Sequence, residues 1–88
     1  AFAGAKLPGA DLAKSELNRS DFTGADLTGA DLSKAELARV NFVKAALAGV
    51  DLSYSNLARA RLAGVDLGNA NLTGAYLFLT RLDGTDLR

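Results

Sequence analysis

Residues 25–37 read Ala25-Asp26-Leu27-Thr28-Gly29, then Ala30-Asp31-Leu32-Ser33-Lys34, then Ala35-Glu36-Leu37. A small residue, a polar residue and a Leu return every five positions, and the rest of the chain keeps that register. Leu or Phe stands at every fifth place from Phe2 to Leu87 without exception. Two residues before each is a small side chain, mostly Ala. Ser15, Ser20 and Ser55 are variants there, and Val40, Val50, Val65, Thr80 and Thr85 are the largest. Such a period fits neither the ~3.6 residues of a helical turn nor the ~2 of a strand. It works when each unit makes one straight side and one corner of a square coil. The Leu and the small residue then point inward, and the other three point out.

The corner is legible at Leu7-Pro8-Gly9-Ala10, because Pro then Gly at the two central positions is the pattern of a type II turn. Eight of the nine Gly fall at that second central position. A positive φ is required there, and Gly or Asn adopts it at least cost.

These residues resemble the pentapeptide-repeat family, whose units run small, Asp or Asn, Leu or Phe, then two free positions. Ala10-Asp11-Leu12, Ala25-Asp26-Leu27, Ala30-Asp31-Leu32 and Ala70-Asn71-Leu72 match outright, and the resemblance covers the whole chain. It implies an all-β fold, a right-handed quadrilateral parallel β-helix with four pentapeptides per coil. On that pattern the chain makes a solenoid of about 4.4 coils, roughly 21 Å long at the usual strand spacing.

The twenty-residue coil has support within the residues themselves. Phe2, Phe22 and Phe42 lie twenty apart and should stack on one inner wall. Residues 10–29 and 30–49 agree at eleven of twenty positions, including Lys14 with Lys34, Glu16 with Glu36 and Arg19 with Arg39. The expected core is Phe2, Phe22 and Phe42 on side 1 and Leu12, Leu32, Leu52 and Leu72 on side 3. Leu7 begins side 2, and Leu17 begins side 4.

Laid out by twenties, the four corners differ. Those after sides 1 and 2 carry mostly Gly: Gly4, Gly24, Gly64 and Gly84 on one, Gly9, Gly29 and Gly49 on the other, with Lys44 and Asn69 as departures. The corner after side 3 carries Lys14, Lys34, Tyr54 and Gly74. The corner after side 4 carries Arg19, Arg39 and Arg59, an exposed basic column, and then Leu79. Asp11, Asp31, Asp51 and Asn71 form a column on side 3, and Glu16, Glu36, Asn56 and Tyr76 one on side 4. Exposed ion pairs with the neighbouring Lys and Arg columns, each contributing ~0–1 kcal/mol, would offset the repulsion within those stacks. The last full coil departs most from the pattern. Tyr76, Phe78 and Leu79 occupy outward positions on side 4, with Tyr54 near them, and this cluster is the candidate protein interface.

Composition narrows the function. Eighty-eight residues make at most one domain, residues 1–88. A chain with no His and no Cys lacks the usual general base, metal ligands and thiol nucleophile. No base is positioned beside Ser33 or Ser53, and the Gly spacing forms no phosphate loop. The chain therefore reads as a non-enzyme with no cofactor and no metal. Ten basic and ten acidic residues cancel, so neither nucleic acid nor a membrane surface is an expected partner. No apolar run reaches the ~20 residues of a membrane helix, which predicts a soluble protein without membrane insertion. It would be cytoplasmic, or periplasmic or in the thylakoid lumen if a leader preceding Ala1 has been removed.

The repeat is already running at Phe2 and still running at Leu87, so both ends read as uncapped. That suggests a fragment of a longer chain, or a partner or second copy over a coil end or on side 4. The expected function is a structural or protein-interaction scaffold. The alternative suggested by the family resemblance is a gyrase-binding mimic of duplex DNA. Duplex DNA carries a negative charge every ~1.7 Å, whereas the four sides here carry +1, −1, −1 and +1.

Overall fold

A computed structural model of the chain describes residues 2–82. Its regularity follows from where each backbone N–H finds an acceptor. Parallel pairing joins the residue before the inward Leu or Phe of a side to the one twenty further on, as in Asp11 with Asp31, Glu16 with Glu36 and Asp51 with Asn71. One full turn of the chain therefore takes four sides. The departure among the described residues is on side 2, where Ala46 and Asp66 are not bridged. One step later Gly49 N–H donates to Gly68 O at 2.9 Å and the ladder resumes.

Across a unit of side 3 and its counterpart one coil on, each of the five kinds of N–H has a destination. Leu12 N–H and Lys14 N–H donate forward to Asp31 O and Ser33 O of the next coil, at 2.8 and 2.9 Å. Asp31 N–H donates back to Ala10 O at 2.8 Å. Ser15 N–H closes its corner on Leu12 O at 3.2 Å. The fifth, Ala13 N–H, donates to the Asp11 side chain, Oδ1, at 3.2 Å. Buried backbone must be satisfied in this way, and a five-residue side leaves exactly one donor for a side chain to take.

The corners extend what the sequence predicts. Among the described residues positive φ is found not only at seven glycines but at nine others, from +56° at Leu79 to +66° at Arg19 and Lys44. Every corner between Gly4 and Leu79 is closed by a hydrogen bond from the residue after it to the residue three earlier, as in Ala5 N–H to Phe2 O at 2.9 Å. The requirement comes from coil geometry and applies whether or not Gly is present. Gly84 and Leu87 lie outside the described residues.

The interior is a stack of matched layers. Phe22, Phe42, Leu27, Leu32, Leu37, Leu47, Leu52 and Leu57 are fully buried, with Ala25, Ala30, Ala35 and Val40 between them. Phe2, Phe22 and Phe42 stack with ring centroids 4.8 and 5.4 Å apart, close to the strand spacing that sets their separation. Each buried Leu contributes about 1.5–3 kcal/mol. Two inward hydroxyls bond backbone carbonyls: Ser55 Oγ donates to Leu52 O of its own coil and Thr80 Oγ1 to Leu57 O of the preceding coil, both at 2.7 Å.

The expected core needs correction at its extremes. Phe2 is 39% exposed, and Leu12 and Leu72 are only half-buried. Each has a coil on one side only among the described residues, so one face of the side chain lacks contacts. The extents of 27 × 26 × 23 Å make the solenoid about as long as it is wide.

Candidate interaction face

The outward Asp and Asn residues have a structural task that the sequence reading did not assign. Every Asp or Asn preceding an inward Leu or Phe, among the described residues, accepts the N–H two positions on, at 2.8–3.2 Å. Where Ser or Thr supplies that N–H to an Asp, its hydroxyl donates to the same carboxylate, as from Ser33 to Asp31 at 2.6 Å and from Thr28 to Asp26 at 2.7 Å. These are Asx turns, and they explain the family's Asp or Asn preference as the acceptor for the fifth donor.

Two of the units that lack Asp or Asn at this place fit the same account. Lys6 offers no acceptor, but Pro8 two residues on has no N–H to satisfy. Glu36 does not serve Ala38 N–H either, and that donor goes instead to Asn18 Oδ1 of the preceding coil at 2.9 Å. The sequence carried this signal in Asp21-Phe22-Thr23, Asp26-Leu27-Thr28, Asp31-Leu32-Ser33 and Asp51-Leu52-Ser53.

The ion-pair expectation gives way accordingly. The Asp21, Asp26 and Asp31 carboxyls all lie below their ordinary value of 3.8, first because of the Thr23, Thr28 and Ser33 hydroxyls and then the backbone N–H groups. Lys6 is the last and smallest influence on Asp26, and no cation acts on Asp31. Among the described residues none of Lys14, Lys34, Arg19, Arg39 and Arg59 is tied to a carboxylate.

Side 4 and its two flanking corners are therefore distinct. Lys14 and Lys34 are exposed on one corner, and Arg19, Arg39 and Arg59 on the other. The Glu16 and Glu36 column runs between them, and Asn56 Nδ2 donates to Glu36 Oε1 at 3.3 Å. In the following coil the polar wall becomes apolar. Tyr76 is 55% exposed, Phe78 53% and Leu79 56%, and the Tyr76 and Phe78 rings stack 6.2 Å apart at 22°. Tyr54 is exposed on the flanking corner, one coil earlier, and its ring lies over Gly74. A Cβ at Gly74 would come within 2.5 Å of that ring. Of the predicted cluster, the structure brings Tyr76 and Phe78 into direct contact and sets Tyr54 apart, against the neighbouring corner.

Among the described residues there is no cavity, and no group of three or more His, Cys, Asp or Glu that could hold a metal ion. Within the same residues no helix is long and apolar enough to cross a membrane.

Comparison with known proteins accounts for the architecture. The profile of the pentapeptide repeat region matches residues 1–87, and the chain belongs to that family. A pentapeptide repeat protein from Nostoc Pcc 7120 is similar at 36% identity and a TM-score of 0.82, over 84% of this chain and 61% of that one. A pentapeptide repeat protein of the Arabidopsis thaliana thylakoid lumen is similar at 30% identity and a TM-score of 0.57, over 84% of this chain and 62% of that one. The chain thus spans about three fifths of each of these relatives. Comparison with curated proteins matches none of them. The fold is the right-handed β-helix of these relatives.

Proposed function

We propose that the chain is a non-catalytic scaffold that binds another protein, or a second copy of itself, through the last described coil of side 4. The carrying observation is the Tyr76 and Phe78 stack, more than half exposed on a wall that is otherwise polar. Large aromatic side chains of this kind are characteristic anchors of protein interfaces. Leu79 is exposed on the corner that follows Tyr76 and Phe78, and Tyr54 on the corner before side 4, and the lack of a cavity or a metal-binding cluster among the described residues favours binding over chemistry.

The double variant Tyr76→Ser/Phe78→Ser should keep the circular dichroism spectrum of the parent, because both side chains lie outside the core. It should also abolish association, read as loss of the faster component in sedimentation velocity or loss of a purified partner in pull-down. Unchanged profiles for the variant would remove this reading. A DNA-mimicking function gains no support from sides that carry +1, −1, −1 and +1, and inhibition of gyrase supercoiling by excess protein would reverse that ranking.

A further inference from the structure

Glycine is the residue of least strain at a positive-φ corner, and at Gly4, Gly9, Gly24, Gly29 and Gly64 an added Cβ would touch nothing within 4 Å. Packing therefore does not exclude side chains from those corners. Backbone strain does, and the corners after sides 1 and 2 are mostly Gly accordingly. The two corners that frame side 4 do the opposite. Lys14, Lys34 and Tyr54 hold φ of 63°, 59° and 58° on one, while Arg19, Arg39 and Arg59 hold 66°, 61° and 60° on the other. The one Gly on these corners, Gly74, is the position over which the Tyr54 ring lies. Strain retained at an exposed position, where Gly would relieve it, points to a use outside the fold.

The five cations are half of the ten in the chain, and among the described residues none is engaged by a carboxylate. Across side 4 the charge runs positive, negative, positive: the Lys corner, the Glu16 and Glu36 column, then the Arg corner. We infer that side 4 and its corners form a docking face for an acidic segment of another protein, with carboxylates along both rims and an apolar side chain that meets Tyr76 and Phe78. This rests on the protein-binding reading above and adds the chemistry of the partner. A nucleic-acid strand fits less well. Its evenly spaced phosphates would cross the Glu column, and Tyr76 and Phe78 face one another instead of offering flat platforms to bases.

The test uses the full chain and a fluorescent peptide that alternates Glu with Leu and Phe. A peptide with Lys in place of Glu and a short thymidine oligonucleotide serve as comparisons. The acidic peptide should bind at low ionic strength, weaken with added salt, and lose about tenfold or more in affinity to the variant Arg19→Gly/Arg39→Gly/Arg59→Gly. That variant should at the same time melt at a higher temperature than the parent, which separates lost binding from lost fold. Absence of acidic-peptide binding, equal binding of the Lys peptide, or tighter binding of the oligonucleotide overturns the inference. If Tyr76→Ser/Phe78→Ser abolishes binding while the triple Gly variant binds like the parent, the protein-binding reading stands and the acidic partner falls. If only the triple Gly variant loses binding, the acidic partner stands and the aromatic anchor falls.

Discussion

Asp31 shows how much one residue contributes to this fold. Its carboxylate accepts both the Ser33 N–H at 2.9 Å and the Ser33 hydroxyl at 2.6 Å, which keeps the carboxyl below its ordinary value of 3.8. Asp21 and Asp26 are held low by the same pair of bonds from Thr23 and Thr28. A carboxyl whose folded value is depressed contributes stability that is present above the unfolded value and is lost as pH falls through the folded one. Denaturant melts of the parent should therefore weaken below about pH 4. Asn preserves the acceptor and removes the titration, as Asn71 already does for Thr73 N–H at 3.0 Å. Asp21→Asn/Asp26→Asn/Asp31→Asn should match the parent near neutrality and lose less stability on acidification. An identical acid limb would show that these three groups are not its source.

One pentapeptide is the repeating element, and its five donors make it nearly self-contained. The position after the inward Leu is the one whose N–H needs a side-chain acceptor. In one unit without an acceptor Pro removes the need: Pro8 after Lys6. Ala48 occupies the matching place on side 2, with Ala46 before it and Gly49 after it, so its surroundings repeat Leu7-Pro8-Gly9. Ala48→Pro should raise stability by about 0.4–1 kcal/mol by restricting the unfolded chain. Ser33→Pro, at the same place on side 3, removes the donor that Asp31 binds and should lower stability by roughly 1 kcal/mol. Urea unfolding of the two variants should give opposite signs, and like signs would contradict this account of the side.

At the level of the whole molecule, stability is a sum of contacts between neighbouring coils. Leu52 has a coil on each side and is fully buried, whereas Leu72, one coil later in the same column, is only half-buried. Leu52→Ala should cost about 2–5 kcal/mol, and Leu72→Ala less than about half of that. Equal losses in thermal or urea melts would mean that burial along the axis is more uniform than the structure has it. The same asymmetry affects binding. Changes to outward residues of side 4 alter the face without touching a layer of the core, which is why Tyr76, Phe78 and the Arg column can be varied while the coil persists.

The sequence alone determined the coil, because period, side and corner are local properties that recur every five residues. Gly9 after Pro8 revealed the corner, and the twenty-residue spacing of Phe2, Phe22 and Phe42 revealed the turn of the helix. The sequence also marked side 4 as the wall that breaks the pattern. Three matters depended on tertiary structure, because each arises between coils or from backbone geometry that residue identity does not reveal. The corner conformation is forced on Lys14 and Arg39 as firmly as on Gly29, since closing four sides requires it. The Asp column turns out to bind its own backbone, since parallel pairing consumes the other N–H groups and leaves one donor over. Phe2, Leu12 and Leu72 lie at the edge of the core because an inward direction gives burial only where a coil covers both sides. Ala25–Leu37, read by fives, describes how the coil holds itself. Read by twenties, it sets Lys34 in a column beside Glu36, and the structure leaves that side chain exposed, on the rim of the face proposed for docking.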